Sequence, residues 1–449
     1  MADSDTSPCP NCKRLQKRIY ALEHQIADLQ QQIAELKKYV FGRHQQKEGP
    51  ARKPGPLFGH RGWFRRKPKT VDQTEEVSLK ACPDCGSRDL SKCAEIQEHL
   101  QEDIVLPVPQ TTLYRKQVYW CKRCRKKVTG RGKDEMPGSY IGPQAKSIAD
   151  FLRYRVKVTQ RDITRILKGL FGLSVTMGAV QGFHTQTRVR AEPLHAQLQK
   201  KIKQEPVIHA DETSAPINGT LGWTWLFASP RIALYHIHPS RGGKVVQAVL
   251  GTTYNGTLVS DFLSVYNNSI TAKAKQKCLV HLQRELDKMR TRFPAPHPVD
   301  TYARRLGDFF QEARAFYNAY HQGKITRPQL RTQAGRFKKE LPSFVLLKDP
   351  QPHIRRLSKR LAKHPHELFT FLEDPDRVRP DNNFAERLIR PCVIFRKLTG
   401  GFRTSTGTDN LNVLMSLQQT AHLNGKDPLR LFHNILTQPK LKLDWCLSP

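Results

Sequence analysis

Between Pro206 and Val280 the hydrophobic period falls towards two and β-branched and aromatic residues accumulate, which commits that stretch to a sheet. VIHADET (207–213), GWTWLFAS (222–229), ALYHIHPS (233–240) and GTLVSDFL (256–263) read as strands, and KVVQAVLG (244–251) reads as a short helix before the last of them. Three neighbouring strands, a helix and a further strand predict an α/β core around a mixed sheet. Asp211 then ends the first strand and Asp261 the fourth. If those strands are neighbours, the two carboxylates approach closely enough to hold Mg²⁺ through oxygen ligands. Two acids alone carry little, but DNNFAERLIRP (381–391) supplies a third, with Asp381 able to cap a helix and Glu386 one turn inside it. A carboxylate on a rigid helix opposite two strand-end aspartates is the arrangement that two-metal phosphoryl transfer needs. Asp381 is the nearest competitor for the third ligand. Each acid also has a plainer reading: Asp211 as a turn cap, Asp261 bonded to the loop before Tyr266, and Glu386 paired with Arg390 one turn on.

Charge narrows the partners. The chain of 449 residues carries 75 Lys and Arg against 40 Asp and Glu, a formal excess of +35 that resists compaction and attracts polyanions, so nucleic acid is the expected partner ahead of an anionic membrane surface. At roughly 150 residues per domain this length predicts about three domains. No apolar run approaches the roughly 18 residues of a membrane span, and Met-Ala-Asp-Ser-Asp at the start lacks a signal peptide's basic and apolar regions. The expectation is a soluble, cytoplasmic, nucleoid-associated protein. Its ten cysteines are expected to stay reduced there and are read for metal first.

The first 140 residues divide into three segments. Leu15, Leu22, Leu29 and Leu36 repeat every seven residues, as do Ile19, Ile26, Ile33 and Val40 at the alternate position, so residues 13–40 predict a parallel two-stranded coiled coil and hence a homodimer or higher oligomer. A single amphipathic helix packed on its own protein is the alternative. Residues 41–75 form a basic Gly- and Pro-rich linker in which Phe58, Trp63 and Phe64 interleave with cations, suiting Arg65 and Arg66 to a DNA backbone or simply to solvent. Residues 76–135 hold Cys82-Pro-Asp-Cys85 and Cys121-Lys-Arg-Cys124, 35 residues apart. Two such pairs complete a four-sulfur structural zinc site if strands such as TLYRKQVYW (112–120) bring them together; two inert turns are the alternative. Cys9 and Cys12 stand alone before the heptads.

Residues 140–200 turn helical. A helix after Thr159, a turn at Gly172 and a second helix from about Thr176 have helix-turn-helix spacing, equally compatible with a plain helical hairpin. At the other end, TGGFRTSTGTDN (399–410) reads as a Gly- and Ser/Thr-rich loop in which Arg403 can approach a phosphate backbone, followed within 401–449 by one or two helices.

HADET (209–213), SDFLSVY (260–266) and DNNFAERLIRP (381–391) together resemble the three acid motifs of the transposases of bacterial insertion-sequence family 66. The leading heptads, the Gly-Pro basic segment with GHRG (59–62), the double Cys-x-x-Cys and the acids follow that family's order over nearly the whole chain. The resemblance implies a multidomain α/β protein whose residues 204–400 form a ribonuclease-H-like catalytic core with a helical insertion at about 282–375. It implies that Asp211, Asp261 and Glu386 hold Mg²⁺, or Mn²⁺, as the catalytic acids. Cys278-Leu-Val-His281 resembles an element that brings His281 towards the scissile phosphate with Arg284 a turn away, a structural histidine being the alternative; Arg387 and Arg390 would touch DNA phosphates. The pattern departs from other insertion-sequence families at Cys392 and Val393, where those carry Lys or Arg; Arg390 and Lys397 are the nearest cations. The implied function is a DNA transposase that cleaves at the terminal inverted repeats and joins the freed ends to target DNA, with accessory proteins encoded nearby as further expected partners. The rival is a non-enzymatic DNA-binding regulator, a domesticated or inactive transposase, which has no use for three acids in these contexts.

Overall fold

The computed structural model describes residues 107–448, apart from 133, 137 and 439, together with parts of 70–101 and Arg18. The expected coiled coil at 13–40, Cys9, Cys12, Arg65, Arg66, Cys82 and nearly all of the basic linker lie outside the described residues. The chain divides into two units, residues 1–103 and 104–449, and the second holds the sheets, their helices and all three candidate acids.

That unit begins with a hairpin of β1 (Val118–Cys121) and β2 (Lys126–Thr129), closed by the Cys121-Lys-Arg-Cys124 turn. The backbone amide of Cys124 donates to Cys121 Sγ at 3.4 Å, and this turn holds the Cys121 thiol below its ordinary range. Helix α1 (Pro143–Asp150) runs into a π-helical turn (Phe151–Val156), then come α2 (Gln160–Phe171) and α3 (Met177–Ile202). Thr159 and Thr176 cap α2 and α3 by accepting the amides of Asp162 and Ala179, and Gly172 ends α2 at φ 66°, a left-handed conformation that favours glycine. The two helices and the Gly172 turn therefore lie where the sequence predicts. Buried Asp150 ties α1 to α3 by accepting from Thr187 Oγ1 and pairing with His184 Nδ1, both at 2.6 Å.

The centre is a five-stranded mixed sheet in the order β5-β4-β3-β6-β7, built from β3 (Val207–Ser214), β4 (Trp223–Ala228), β5 (Ala233–His238), β6 (Thr253–Ser260) and β7 (Thr271–Lys277). Helix α4 (Gly243–Leu250) leads into β6. β3, β4 and β5 are antiparallel neighbours, whereas β6 runs parallel to β3 and β7 parallel to β6. This is the expected α/β core around a mixed sheet, with one strand more than its apolar runs announce.

The sheet takes part in two cores. Ile208, Ala210, Trp225, Phe227 and Leu258 enter one core with α3 and the C-terminal helices α9 (Asn383–Thr399), α10 (Ser405–Leu423) and α11 (Pro428–Thr437). Val207 and Val259 enter another with the helical insertion, α5 (Leu279–Arg292), α6 (Pro298–His321), α7 (Arg327–Glu340) and α8 (Pro352–Lys363). The edge strand β5 would leave amides unpaired. Side chains of α10 meet them: the amides of Ala233, Tyr235 and Ile237 donate to Thr420 Oγ1, Ser416 Oγ and Asn412 Oδ1. Four helical residues rise about 6 Å and two strand residues about 6.7 Å, so polar residues at intervals of four on α10 register with alternate amides on β5.

Candidate active site

Asp211 lies on β3 with the parity of Val207 and His209. It is not the end of the strand: β3 stays paired with β4 as far as Ser214, while its parallel pairing with β6 stops at His209↔Val259. The carboxylate thus stands just beyond the point where the two parallel strands separate, and Asp261 follows the last residue of β6. Asp211 Oδ1 accepts the amide of Glu212 at 2.9 Å, and Asp261 Oδ1 accepts that of Leu263 at 2.9 Å. Beneath Asp261, buried Lys277 donates to the Asp261 carbonyl at 2.9 Å and to Ser260 Oγ at 3.1 Å. Burial brings its ammonium down to about 8.

Glu386 sits in the first turn of α9. The N-cap of α9 is Asn382 and not Asp381, which lies one residue before it and accepts the amide of Asn383 at 3.0 Å. Asn382, fully buried, latches that helix start to β3: its Nδ2 donates to the Ala210 carbonyl at 2.9 Å and its Oδ1 lies 3.0 Å from His209 Nδ1. With the amide nitrogen engaged on Ala210, Oδ1 must accept, which places a proton on His209 Nδ1. Burial keeps that imidazole neutral by bringing it down to about 4. The latch fixes the helix bearing Glu386 one residue away from Asp211.

The three acids share one electrostatic neighbourhood. Asp211 is pushed up to about 7, first by burial, then by the charge of Glu212, and further by Asp261 and Glu386. The three carboxylates make a donor set suited to a hard divalent cation, and Glu386 Oε1 is a buried oxygen without a hydrogen-bond partner. The tightest grouping is a different one. Among the described residues, the potential metal ligands whose donor atoms all lie within 4.8 Å of one another are Cys278, His281 and Glu386. Glu386 also takes Arg284, at 3.4 and 3.5 Å to Oε2, so its charged partners come from α5 and not from Arg390.

Beside Asp261 and His281 opens a cleft of about 610 Å³ lined also by Phe262, Arg284, Glu285, Lys288, Arg356 and Arg360. Arg360 and Arg356 pair with Glu285; Arg284 leans on Glu386. Arg387 and Arg390 are exposed on α9, as is Lys397, whereas Cys392 is buried. Arg403 is exposed, but its surroundings differ from the open loop expected at 399–410. Residues 400–404 are pinned to the segment after β3, with Phe402 N donating to the Pro216 carbonyl and Asn218 N to the Phe402 carbonyl, and α10 already begins at Ser405 under a Thr404 cap. Cys121 and Cys124 occupy the β1–β2 turn, and Cys85 is exposed in the N-terminal unit.

Sequence reasoning missed Glu212, Asn382 and Lys277. Glu212 stands inside HADET and Asn382 inside DNNFAERLIRP, and their adjacency to the candidate acids was the available signal. Lys277 gave none, because a lysine in TAKAKQK reads as a solvent-facing residue.

A mixed sheet that presents clustered carboxylates beside a cationic cleft defines a site for a polyanion. Residues 138–410, over half of the chain, match the Transposase IS66 family, and the chain belongs to that family. It is 27% identical over 269 residues to the uncharacterized protein y4qI of Sinorhizobium fredii, covering 53% of this chain and 49% of that protein. To the uncharacterized protein y4jD of the same organism it is 22% identical over 293 residues, covering 59% and 56%. The chain thus spans about half the length of the curated relatives it matches. Among the described residues no helix is long and apolar enough to cross a membrane.

Proposed function

We infer that the chain is a DNA transposase with a ribonuclease-H-like core, which cleaves a phosphodiester at the element's terminal inverted repeat and joins the freed 3′-hydroxyl to a target phosphodiester. The observation that carries this reading is the placing of Asp211 on β3, Asp261 at the end of β6 and Glu386 in the first turn of α9, with the charges of Asp261 and Glu386 adding to burial and Glu212 in raising the Asp211 carboxyl. The strand order, with three antiparallel strands followed by two parallel ones, supports it.

Asp211, Asp261 and Glu386 would hold Mg²⁺ or Mn²⁺, which when bound supplies Lewis-acid polarisation of the phosphate and of the attacking oxygen. The protein's own groups do the positioning. Lys277 fixes the backbone of Asp261, Asn382 fixes the helix of Glu386 against β3, and His281 lines the cationic cleft. Arg284, Lys288 and Arg356 in that cleft suit the phosphates flanking the scissile bond, and exposed Arg387, Arg390 and Arg403 extend the cationic surface; Arg65 and Arg66 are assigned to the same DNA contact from sequence alone. The α2–α3 pair is proposed to contact the terminal repeats. Cys82, Cys85, Cys121 and Cys124 are proposed as a structural zinc site, for which the amide-to-sulfur bond inside the Cys121–Cys124 turn is the supporting observation. Pairing of protomers through residues 13–40 is proposed from the heptads.

The test is cleavage and joining of a labelled duplex carrying the element's own end, with full-length protein, Mg²⁺ and any neighbouring gene products, beside Glu386→Ala. Cleavage to a 3′-hydroxyl and joined product, absent from the variant, is expected. Specific binding with no cleavage under any of these conditions would replace the transposase with a DNA-binding regulator.

A further inference from the structure

Glu386 faces two ways. Its Oε2 takes the Arg284 guanidinium, while Oε1 points at His281 Nδ1, 3.6 Å away. That separation is too long for a hydrogen bond, and both atoms are buried without a hydrogen-bond partner. It does match the spacing of two ligands on one ion. Zinc bonds of about 2.0–2.3 Å at tetrahedral angles set ligand atoms roughly 3.3–3.8 Å apart.

The third donor is Cys278, the residue before α5, with its Sγ within 4.8 Å of both. The amides of Val280 and His281, two and three residues on, and of Asn382 at 3.2 Å, are directed at that sulfur. Burial and the Glu386 charge raise the Cys278 thiol above its ordinary range, and these amide donors oppose that rise by compensating the charge of a thiolate, the form that binds metal. The Cys121-Lys-Arg-Cys124 turn repeats the motif with Cys124 N on Cys121 Sγ. Sulfur, imidazole and carboxylate together select a softer ion than the oxygen-only triad does.

We propose that Cys278, His281 and Glu386 form a site for a soft divalent cation of the zinc class, whose occupation withholds Glu386 from the hard cation at Asp211 and Asp261. The competition rests on the transposase reading; the binding site itself does not. Zinc there inhibits, because one carboxylate oxygen is committed to the cysteine–histidine pair and the other to Arg284.

Full-length protein stripped of metal and reloaded with Co²⁺ tests the site by metal count and by the thiolate-to-cobalt absorption band. Wild type should bind one more equivalent per chain than either Cys278→Ser or His281→Ala, and Cys278→Ser should lose part of the band. Because Cys278 is buried, the partly exposed His281 provides the second variant should the first fail to fold. Equal cobalt counts in wild type and His281→Ala overturn the site. In the cleavage assay with Mg²⁺, added Zn²⁺ should inhibit wild type at a concentration about tenfold or more below that needed for Cys278→Ser. Equal inhibition overturns the competition. A missing cobalt equivalent in a protein that never cleaves DNA upholds the site and overturns the transposase reading instead.

Discussion

Asp211 and Glu212 are adjacent on β3, so they project to opposite faces of the sheet and show how differently one fold treats two half-buried acids. On one face Glu212 is enclosed: Tyr266 donates to its Oε2 at 2.6 Å, Arg241 donates to its Oε1 at 2.6 Å, and Arg241 in turn lies 4.3 Å over the Trp223 ring. Burial still raises its carboxyl, but a cation and a hydroxyl oppose that rise. On the other face Asp211 has one backbone amide and, around it, the charges of Glu212, Asp261 and Glu386. An acid that the protein neutralises itself holds structure together. Asp211, beside a cleft lined by Arg284, Lys288 and Arg356, has no such partners, and its raised carboxyl marks it as a candidate functional group.

The sharpest way to break that comparison is to remove each acid in turn. Asp211→Ala should lower Mg²⁺-supported strand cleavage by about 10³-fold or more, the equivalent of several kcal/mol of transition-state stabilisation. Glu212→Gln, which keeps an acceptor for Tyr266, should change the rate by no more than about tenfold and show its effect in stability. Single-turnover rates on a labelled transposon end measure both, and similar losses for the two variants would erase the distinction between the faces. Next in size is Asn382→Ala. It leaves the Ala210 carbonyl and the His209 ring nitrogen unpaired inside the protein, at about 1–3 kcal/mol for each group, and frees the start of α9 from β3. Denaturant unfolding should show a loss of about 2–4 kcal/mol. Cleavage should fall as well, because Glu386 is one helical turn from the latch.

Legibility followed where the side chains were apolar. β3 to β6 were read from β-branched and aromatic runs, and α2, α3 and α9 from caps and periodicity, because those signals depend on neighbours in sequence. β7 was missed: TAKAKQK alternates small and cationic residues, and only the Ser260 hydroxyl, the Asp261 carbonyl and Glu367 around Lys277 make its burial tolerable. The sequence places Asp211 at a strand end for a related reason. One of its two ladders does end there, but pairing with β4 carries the strand on to Ser214, and pairing is a long-range property. The Gly- and Thr-rich 399–410 segment suggested a loop, although Thr404 caps a helix within it. The candidate acids were legible as motifs. The Asn382 latch and the turn of Glu386 towards His281 were not, since each joins residues more than a hundred positions apart.

The smallest effect is the most diagnostic of unrelieved charge. Asp211 has a folded-state carboxyl raised to about 7 from an ordinary 3.8, so its charged form is disfavoured in the folded protein. Below about pH 4 it is protonated in both folded and unfolded chains and contributes no penalty. As pH rises through the interval the unfolded chain ionises first, and the penalty grows until the folded group ionises near pH 7, after which it is constant. Asp211→Asn removes an ionisable group without changing its shape. Without added Mg²⁺ or Mn²⁺ it should therefore be more stable than wild type by about 2 kcal/mol at pH 8, a figure reduced from the full shift because the side chain keeps some contact with water. The advantage should shrink steadily towards pH 4. Added Mg²⁺ should stabilise wild type and not the variant, since only the charged cluster gains from the cation. Unfolding midpoints at pH 5 and pH 8, each with and without Mg²⁺, give the four values needed. A variant advantage independent of both pH and Mg²⁺ would mean that Asp211, like Glu212, has its charge met within the chain.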